Sequence, residues 1–262
     1  TYGFLPATKE EFDRSGIGVP DFVYVSGDAY VDHPSFGAAI ITRILDAAGF
    51  SVAVLAQPNF RSTEDFMRYG KPRLGFLVSS GNVDSMVAHY TAAKKKRSDD
   101  WYSPGRRAGL RPDRAVVVYT NRIREAYGDI PVIIGGLEAS LRRFAHYDYW
   151  SDKVRRSILV DSRADILSYG MGENSIRRIA ELLARGVPVK KIRDVRGTAY
   201  LCRRGEKLNF DPVRGTREEP EGYDYDELKT SKAAYAAAFA EQYAQVYAAV
   251  GLMLKIVGIA YV

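Results

Sequence analysis

The sequence predicts an α/β protein in which a doubly wound, mostly parallel sheet of five strands is covered by helices. Two observations lead to this fold class. Short apolar runs alternate along the chain with segments whose apolar residues recur at helical spacing. Continuous apolar runs are typical of strands that are buried on both faces. We therefore expect a flavodoxin-like or cobalamin-binding-like sheet in the order 2-1-3-4-5.

Five segments have the composition of buried strands, and most of them end at glycine or serine. They are DFVYVS (21–26), SVAVLA (51–56), RLGFLVSS (73–80), PVIIGG (131–136) and ADILSYG (164–170). Between them, amphipathic patterns predict helices over 34–48, 115–127 and 173–185, and residues 62–65 have the composition of a helix start.

Two segments interrupt this alternation. The first, residues 82–114, is a basic excursion that also contains Tyr90, Trp101 and Tyr102. Its basic residues are Lys94, Lys95, Lys96, Arg97, Arg106, Arg107, Arg111 and Arg114. The second, residues 141–163, is rich in arginine and aromatic residues. Long insertions in compact domains are usually functional or disordered, so both are candidate binding surfaces.

The character of the chain changes after residue 190, and we predict three parts. Residues 1–190 form the α/β domain, and residues 191–222 form a small β-hairpin (195–201 with 206–210) and a linker. Residues 223–262 form a C-terminal helical segment, with an aromatic stripe at i+4 spacing. The stripe consists of Tyr235, Phe239, Tyr243 and Tyr247.

The composition excludes several classes of protein. Hydrophobic residues make up 46% and charged residues 27% of 262, which is typical of a globular chain and excludes collagen or wholesale disorder. One cysteine excludes an internal disulfide framework, and three histidines leave little for a closed zinc site. No signal-peptide core or run of about 20 apolar residues is present, so we expect a cytoplasmic protein without a membrane partner.

The loops after four of the strands are the candidate ligand-binding site, because ligands of open α/β sheets bind at the carboxyl ends of the strands. All four contain glycine or small polar residues. The candidate residues are Gly27, Asp28, Asp32 and His33; Ser79, Ser80, Gly81 and Asn82; Gly135, Gly136, Glu138 and Ser140; and Gly170, Gly172 and Glu173. The sequence predicts no metal site and identifies no catalytic residue.

Each of these candidates also has a structural interpretation. The glycines suit any tight strand-to-helix turn. Asp28 and Asp32 resemble an acid/base pair, although two solvated acids would do nothing. His33 is either a ligand or a loop histidine bonded to a carboxylate. Glu138 and Glu173 stand at helix starts, where a carboxylate caps amide groups.

Long strings of the sequence resemble one family. They are GDAYVDHPSFG, AQPNFRSTEDFMRYGKPRLGFLVSSGNVDSMVAHYTA, RPDRAVVVYTNRIREAY, VIIGGLEASLRRFAHYDYWSDKVRRSILVDSRADILSYGMGE and RGTAYL. Together they resemble the N-terminal region of the YgiQ family of radical S-adenosylmethionine (radical SAM) proteins, over about residues 5 to 245. The resemblance implies an accessory domain that precedes a radical SAM barrel, with a [4Fe-4S] cluster and S-adenosylmethionine in the parent protein.

Two departures limit what the resemblance implies. The cluster motif CxxxCxxC is absent, because Cys202 is the single cysteine. We therefore expect the barrel to lie outside this chain. Cobalamin domains with a histidine on cobalt carry DxHxxG, and here Asp32 and Gly37 have that separation. Pro34 stands where the histidine belongs and His33 is one residue early, which argues against cobalamin bound in that way.

Three functions remain open at this point. The first is an accessory domain that shapes the substrate or cofactor entrance of a radical SAM enzyme of unknown substrate. The second is an RNA-binding module that uses the basic excursion together with residues 142–156. The third is a stand-alone domain that binds a corrinoid or a nucleotide at the ends of the strands.

Overall fold

The computed structural model describes residues 4–202 and 224–248, and these residues form eight strands. The strands are β1 (Phe22–Ser26), β2 (Val52–Ala56), β3 (Gly75–Ser79), β4 (Val132–Ile134), β5 (His146–Asp148), β6 (Lys153–Arg155), β7 (Ile166–Ser168) and β8 (Thr198–Ala199). Six form one sheet in the order β2-β1-β3-β4-β7-β8. The first five are parallel, in the predicted order 2-1-3-4-5. β8 adds an antiparallel edge strand that the sequence interpretation did not place in the sheet.

The same residues form nine α-helices. They are α1 (Lys9–Arg14), α2 (Gly37–Ala47), α3 (Ser85–His89), α4 (Ala115–Tyr127), α5 (Gly136–Leu141), α6 (Ile158–Ser162), α7 (Glu173–Ala184), α8 (Tyr225–Thr230) and α9 (Lys232–Ala248). Three predicted helices are confirmed within a few residues as α2, α4 and α7. The helix start predicted at 62–65 leads into a single 3-10 turn, Asp65–Met67, rather than into an α-helix.

Helices cover both faces of the sheet, which explains the continuous apolar strands. Val23 and Val25 of β1 pack into a core with α4 and α6. Phe22 and Tyr24, which alternate with them along the strand, pack into a second core with α2 and α7. Since every residue of β1 is buried, the period-2 pattern of a half-exposed strand cannot occur.

Both insertions are folded. The excursion contains α3, a 3-10 turn at Pro104–Arg106 and two isolated bridges, which join Tyr90 to Lys96 and Asp99 to Arg107. Residues 141–163 contain α6 and a separate antiparallel hairpin of β5 and β6. These elements stand outside the sheet, so the alternation of strands and helices could not predict them.

The C-terminal helical segment is interrupted at Ser231, which separates α8 from α9. Both helices contact the β5–β6 hairpin: the Tyr225 hydroxyl donates to the Val154 carbonyl, and the Tyr235 hydroxyl accepts from the Tyr147 amide. The predicted second hairpin strand (206–210), the linker (211–222) and the Tyr247 side chain lie outside the described residues. The three domain boundaries stay predictions. No helix among the described residues combines the length and apolarity that crossing a bilayer requires.

Candidate functional site

The loops that follow β1, β3, β4 and β7 lie together at the carboxyl edge of the sheet, and we call this surface the rim. The Gly27 amide donates to the Ser79 carbonyl at 3.2 Å, which joins the first two loops. A Cβ at Gly136 would lie 3.3 Å from the Cβ of Ser79, so the third loop is adjacent. The Gly170 amide donates to Ser140 Oγ at 3.2 Å and joins the fourth. The four predicted loops therefore lie side by side at this edge, although Asp28, Ser79, Ser80 and Glu138 are buried beneath its surface.

Glycine is required at two positions where the β1 and β3 loops meet. A Cβ at Gly27 would overlap the Ser80 carbonyl, and a Cβ at Gly81 would overlap the carboxylate of Asp28. Gly81 also has a φ of +104°, which side chains rarely adopt. The close approach lets the Asn82 amide donate to Asp28 Oδ2 at 2.6 Å. These glycines serve packing within the rim, as the structural interpretation of the turns predicts.

A buried ion triad lies beneath this contact. Arg111, which is fully buried, donates from Nη1 to Asp28 Oδ1 at 2.7 Å and to the Ser80 carbonyl at 2.8 Å. Its Nη2 donates to both carboxylate oxygens of Asp100, at 2.8 and 2.6 Å. The guanidinium thus joins the excursion to the loops that follow β1 and β3. Burial raises the pKa of Asp28 to about 6, against the lowering effects of the Asn82 amide and Arg111.

The second acid of the predicted acid/base pair has a different partner. Asp32 accepts from Arg43, with Nε at 3.1 Å from Oδ1. The Arg43 hydrogen bond holds the pKa of Asp32 below its usual value. Since Asp28 and Asp32 each bind their own arginine, their hydrogen bonds do not support an acid/base pair.

His33 is exposed, and its ring is bonded to the backbone rather than to a carboxylate. Its Nδ1 lies 3.1 Å from the Ser35 amide nitrogen and accepts that hydrogen. A neutral imidazole that accepts at Nδ1 carries its proton on Nε2, so Nε2 has no free lone pair for a metal. Metal-bound histidines instead donate their second ring N–H to an acceptor. Because Asp32 is also occupied by Arg43, these residues do not fit cobalamin with histidine on cobalt.

The remaining polar candidates of the first two loops hold the rim together. Asn82 Oδ1 accepts from the amide of Gly37, the first residue of α2, at 3.3 Å. Ser79 Oγ accepts from the Tyr24 hydroxyl at 3.0 Å, and the Ser80 hydroxyl donates to the Val83 carbonyl at 2.9 Å. These bonds fix the shape of the surface.

Glu138 is a buried carboxylate that joins three helices. It stands in the first turn of α5, but its oxygens accept from the amides of Ser85 at 2.9 Å and Val116 at 3.0 Å. These amides belong to the first turns of α3 and α4, so Glu138 caps two helices other than its own. Burial raises the pKa of Glu138. Its role is structural, and it does not face the outer surface of the rim.

The β4 and β7 half of the rim presents apolar side chains. Gly135 and Gly172 precede the first turns of α5 and α7, and Glu173, half-buried, is the first residue of α7. Beside them, Leu137 is 47% exposed, Leu141 is 56% exposed and Met171 is 91% exposed. Large apolar side chains that are exposed together mark contact surfaces. The sequence interpretation missed these three residues, although Leu137 and Met171 are each next to a predicted glycine.

Arg111 was the other important omission. The sequence places it in a run of basic residues, and nothing in that run distinguishes a buried arginine from a solvated one. The signal that could have found it is Asp100, an acid inside a basic segment. An acid of that kind can be the partner of a buried cation, and in the fold it pairs with Arg111.

Arginines of the second insertion are largely engaged within the protein. Arg142 pairs with Asp84, Arg155 with Asp148 and Arg156 with Asp161. Two histidines of the insertions have structural contacts: His89 Nδ1 lies 2.6 Å from Asp113 Oδ1, and His146 Nδ1 lies 3.1 Å from the Phe144 carbonyl. Burial lowers the pKa of His146. The arginines of 142–156 are therefore weaker candidates for phosphate contacts than the sequence predicts.

A cleft of about 460 Å³ lies at the opposite, amino edge of the sheet. Phe12 of α1, Ile17 before β1 and Tyr69 before β3 contribute to its walls. No rim residue lines it. This edge provides control positions for experiments on the rim.

Comparison with known proteins identifies relatives over nearly the whole chain. The family described as Radical SAM N-terminal matches residues 4–255. A UPF0313 protein of Clostridium botulinum is 56% identical over 92% of this chain and 36% of its own length. The UPF0313 protein of Geobacter sulfurreducens is 52% identical over 90% of this chain and 38% of its own. The UPF0313 protein YgiQ of Escherichia coli is 57% identical over 76% of this chain and 27% of its own.

The chain thus spans about a third of the length of these relatives. A solved structure was also found, described as the radical S-adenosylmethionine methyltransferase TsrM from Kitasatospora setae with cobalamin and a [4Fe-4S] cluster bound. It is 18% identical and covers 69% of this chain and 27% of its own, with a TM-score of 0.44.

Proposed function

Because this chain belongs to the Radical SAM N-terminal family, as the N-terminal domain of a YgiQ-type UPF0313 protein, we propose that it is the accessory domain of a radical SAM enzyme. Its rim faces the catalytic core of the same polypeptide and shapes the entrance for substrate or cofactor. The core binds the iron–sulfur cluster and S-adenosylmethionine and carries out the radical chemistry.

The observation that supports this proposal most strongly is the apolar surface of the rim. Leu137 and Leu141 stand exposed on α5, and Met171 stands exposed on the loop after β7, which is bonded to α5 through the Gly170 amide and Ser140 Oγ. The hydrophobic effect favours covering such side chains, at roughly 25 cal/mol per Å² of apolar surface buried. The carboxyl edge is also where α/β sheets bind their ligands. A partner layer that covers this edge would enclose the space between the two.

The cluster must be held elsewhere than in this chain. A [4Fe-4S] cluster that leaves one iron for S-adenosylmethionine needs three thiolates, and the sequence contains only Cys202. We expect the 262-residue chain to bind no stoichiometric cluster after anaerobic reconstitution with iron and sulfide, as measured by absorbance and iron analysis. A stoichiometric [4Fe-4S] cluster on this chain would refute the proposal that the cluster is held by another part of the full-length protein.

Cobalamin has no role in this proposal. His33 accepts the Ser35 amide hydrogen at Nδ1, and Asp32 is bound by Arg43. These contacts do not provide the histidine ligand that the DxHxxG arrangement supplies. The contribution of the rim residues is therefore to position and enclose, and we assign no step through a corrin.

The rim is tested in the full-length protein that contains this domain. The double variant Leu137→Glu and Met171→Glu puts two charges into the proposed contact, and burying unpaired charges is costly. We expect an iron chelator to remove the cluster about tenfold faster than from the unmodified protein. This rate change corresponds to a lowering of the barrier to iron removal by roughly 1.4 kcal/mol. Val19→Glu is the control, because Val19 is 61% exposed and precedes β1 at the amino edge.

Two results separate the outcomes. Faster iron loss in the rim variant, with the control unchanged and both circular dichroism spectra native, supports the proposal. Equal rates of iron loss in the rim variant, the control and the unmodified protein contradict it.

A further inference from the structure

The excursion presents a group of exposed cations that pair with no acid in the part of the chain that the structure describes. Among residues 4–202 and 224–248, no carboxylate forms an ion pair with Lys94, Lys95, Lys96, Arg97, Arg106 or Arg107. Each of them is exposed. Within 94–107, Asp99 is the one acid that does not bind Arg111, and its backbone pairs with Arg107. This surface therefore has a concentrated positive charge that an anionic partner can neutralise.

Aromatic rings accompany these cations. The Arg106 guanidinium lies 3.6 Å from the centroid of the Trp101 ring, which is 69% exposed. Lys94 Nζ lies 4.7 Å from the centroid of the exposed Tyr149 ring. Cations above exposed rings leave the remaining ring surface open for stacking. A planar, anionic partner would meet both features at once.

The fold joins the two insertions into one surface. The Tyr149 hydroxyl donates to the Ala92 carbonyl at 2.7 Å, and the rings of Tyr90 and Trp150 lie 5.1 Å apart. At the other end, the Ala29 amide donates to the Tyr102 carbonyl at 2.9 Å. The surface therefore runs from the β5–β6 hairpin across residues 94–107 to the β1 loop of the rim. We call it the basic–aromatic surface.

We infer that the basic–aromatic surface binds single-stranded nucleic acid. Lysine and arginine neutralise phosphates, and exposed aromatic rings stack on unpaired bases. An acidic peptide would use the cations but gain little from the rings. A duplex hides its base faces inside the stack, so it could not use Trp101 in this way.

This binding does not depend on the proposed function. A consequence does rest on it: since the surface ends at the β1 loop, a bound strand would extend to the rim. The substrate class of the enzyme would then be a nucleotide within a single strand. The arrangement would present that nucleotide at the edge that faces the catalytic core.

Binding is measured with the 262-residue chain and fluorescent 12-nucleotide probes, by anisotropy. The probes are oligo(U) RNA, oligo(dT) DNA and a 12-base-pair duplex, with a polyglutamate peptide as the anionic comparison. We expect both single strands to bind more tightly than the duplex and the peptide. The affinities for oligo(U) and oligo(dT) then show whether the surface prefers RNA or DNA. The affinity should fall as salt rises, with a log–log slope of about −0.7 for each phosphate contacted.

Matched variants locate the site. Lys95→Gln with Lys96→Gln removes two unpaired cations, and Arg155→Gln with Arg156→Gln removes two cations that are paired with Asp148 and Asp161. We expect the first double variant to reduce the salt slope by about 1.4, for two phosphates. The second should leave the slope unchanged. Trp101→Ala should weaken single-strand binding about tenfold or more, with no change in slope.

Several results would overturn the inference. One is the absence of single-strand binding at 50 mM salt, and another is equal loss of affinity in the two double variants. A third is binding of polyglutamate as tightly as of RNA, with Trp101→Ala having no effect. None of these results bears on the chelator experiment, so the inference and the proposed function can fail separately.

Discussion

The excursion (82–114) and the second insertion (141–163) have similar compositions and different electrostatics. Both are rich in arginine and aromatic residues. The second insertion pairs Arg142, Arg155 and Arg156 with acids. The excursion buries Arg111 as an anchor, and the carboxylates of residues 4–202 and 224–248 form no ion pair with the cations of the basic–aromatic surface. Similar sequence patterns therefore have different uses, and the difference lies in where the acids fall in the folded chain.

Asp148 illustrates how buried acids neutralise arginines in and beside the second insertion. Burial would raise its pKa, but hydrogen bonds from Ser151 and Arg114, and the charge of Arg155, lower the pKa of Asp148 to about 2. The carboxylate thus stays charged and binds two guanidinium groups. Residues 94–107 contain no acid that pairs with their exposed cations, and neither does any other described part of the chain, so an anionic partner can reach these cations.

The largest effect is expected from the anchor of the excursion. Arg111→Met removes the cation between Asp28 and Asp100 and leaves two carboxylates buried without it. Breaking a buried pair in this way typically costs about 3–5 kcal/mol of unfolding free energy. Arg155→Met, in the second insertion, removes a partly exposed pair and should cost about 1 kcal/mol or less. Urea denaturation of the two variants measures this contrast.

Equal losses in the two variants would contradict the distinction between an anchoring and a surface arginine. Restored stability in the triple variant Asp28→Asn, Asp100→Asn and Arg111→Met would sharpen it. In that variant no buried charge is left without a partner.

A smaller effect is expected at the root of the excursion. Gly81→Ala places a methyl group on the Asp28 carboxylate, at a φ of +104°. Gly109→Ala is the control, because Gly109 also has a positive φ, +87°, but open space around its Cβ position. We expect Gly109→Ala to cost about 1 kcal/mol and Gly81→Ala clearly more, in unfolding free energy. Similar costs would mean that the β3 loop moves freely away from Asp28.

The smallest effect is a dependence of stability on pH. Burial raises the pKa of Asp28 from its ordinary 3.8 to about 6 in the folded protein, so the folded state holds this proton more tightly than the unfolded state. The stabilisation that comes from this bound proton is fully present below the pKa of Asp28 in the unfolded chain. It is lost as the pH rises through 6. Relative to Asp28→Asn, the unmodified protein should therefore lose unfolding free energy between pH 5 and 7. A constant difference across that range would contradict the burial of this carboxylate.

Much of the fold could be predicted because strands buried on both faces leave a local signature. The runs that became β1 to β4 and β7 are apolar throughout, and parallel pairing follows from their alternation with helices. β8, Thr198–Ala199, lies within the strand predicted at 195–201, but two residues carry no pattern that would show its pairing with β7. The element at Asp65–Met67 is shorter than the helix expected there. A capping sequence indicates where a helix starts and not how far it extends.

The candidate site was predicted in position more than in detail. Parallel strands bring their carboxyl ends to one edge, so the loops at Gly27, Gly81, Gly136 and Gly170 could be placed together from the sequence. The partners of each side chain depend on contacts between distant segments. Arg111 and Asp28 are 83 residues apart in the chain. No spacing in the sequence could have shown that pair, or that Asp32 would bind Arg43.

The rim, we propose, is the surface that the rest of the full-length protein covers. Hydrogen–deuterium exchange of the full-length protein and of the 262-residue chain tests it most directly. The account predicts slower exchange in the full-length protein at residues 27–35, 79–82, 135–141 and 169–173, with the amides beside Val19 at the amino edge unchanged. Identical exchange of the rim in the two proteins, or protection confined to the amino edge, would contradict it.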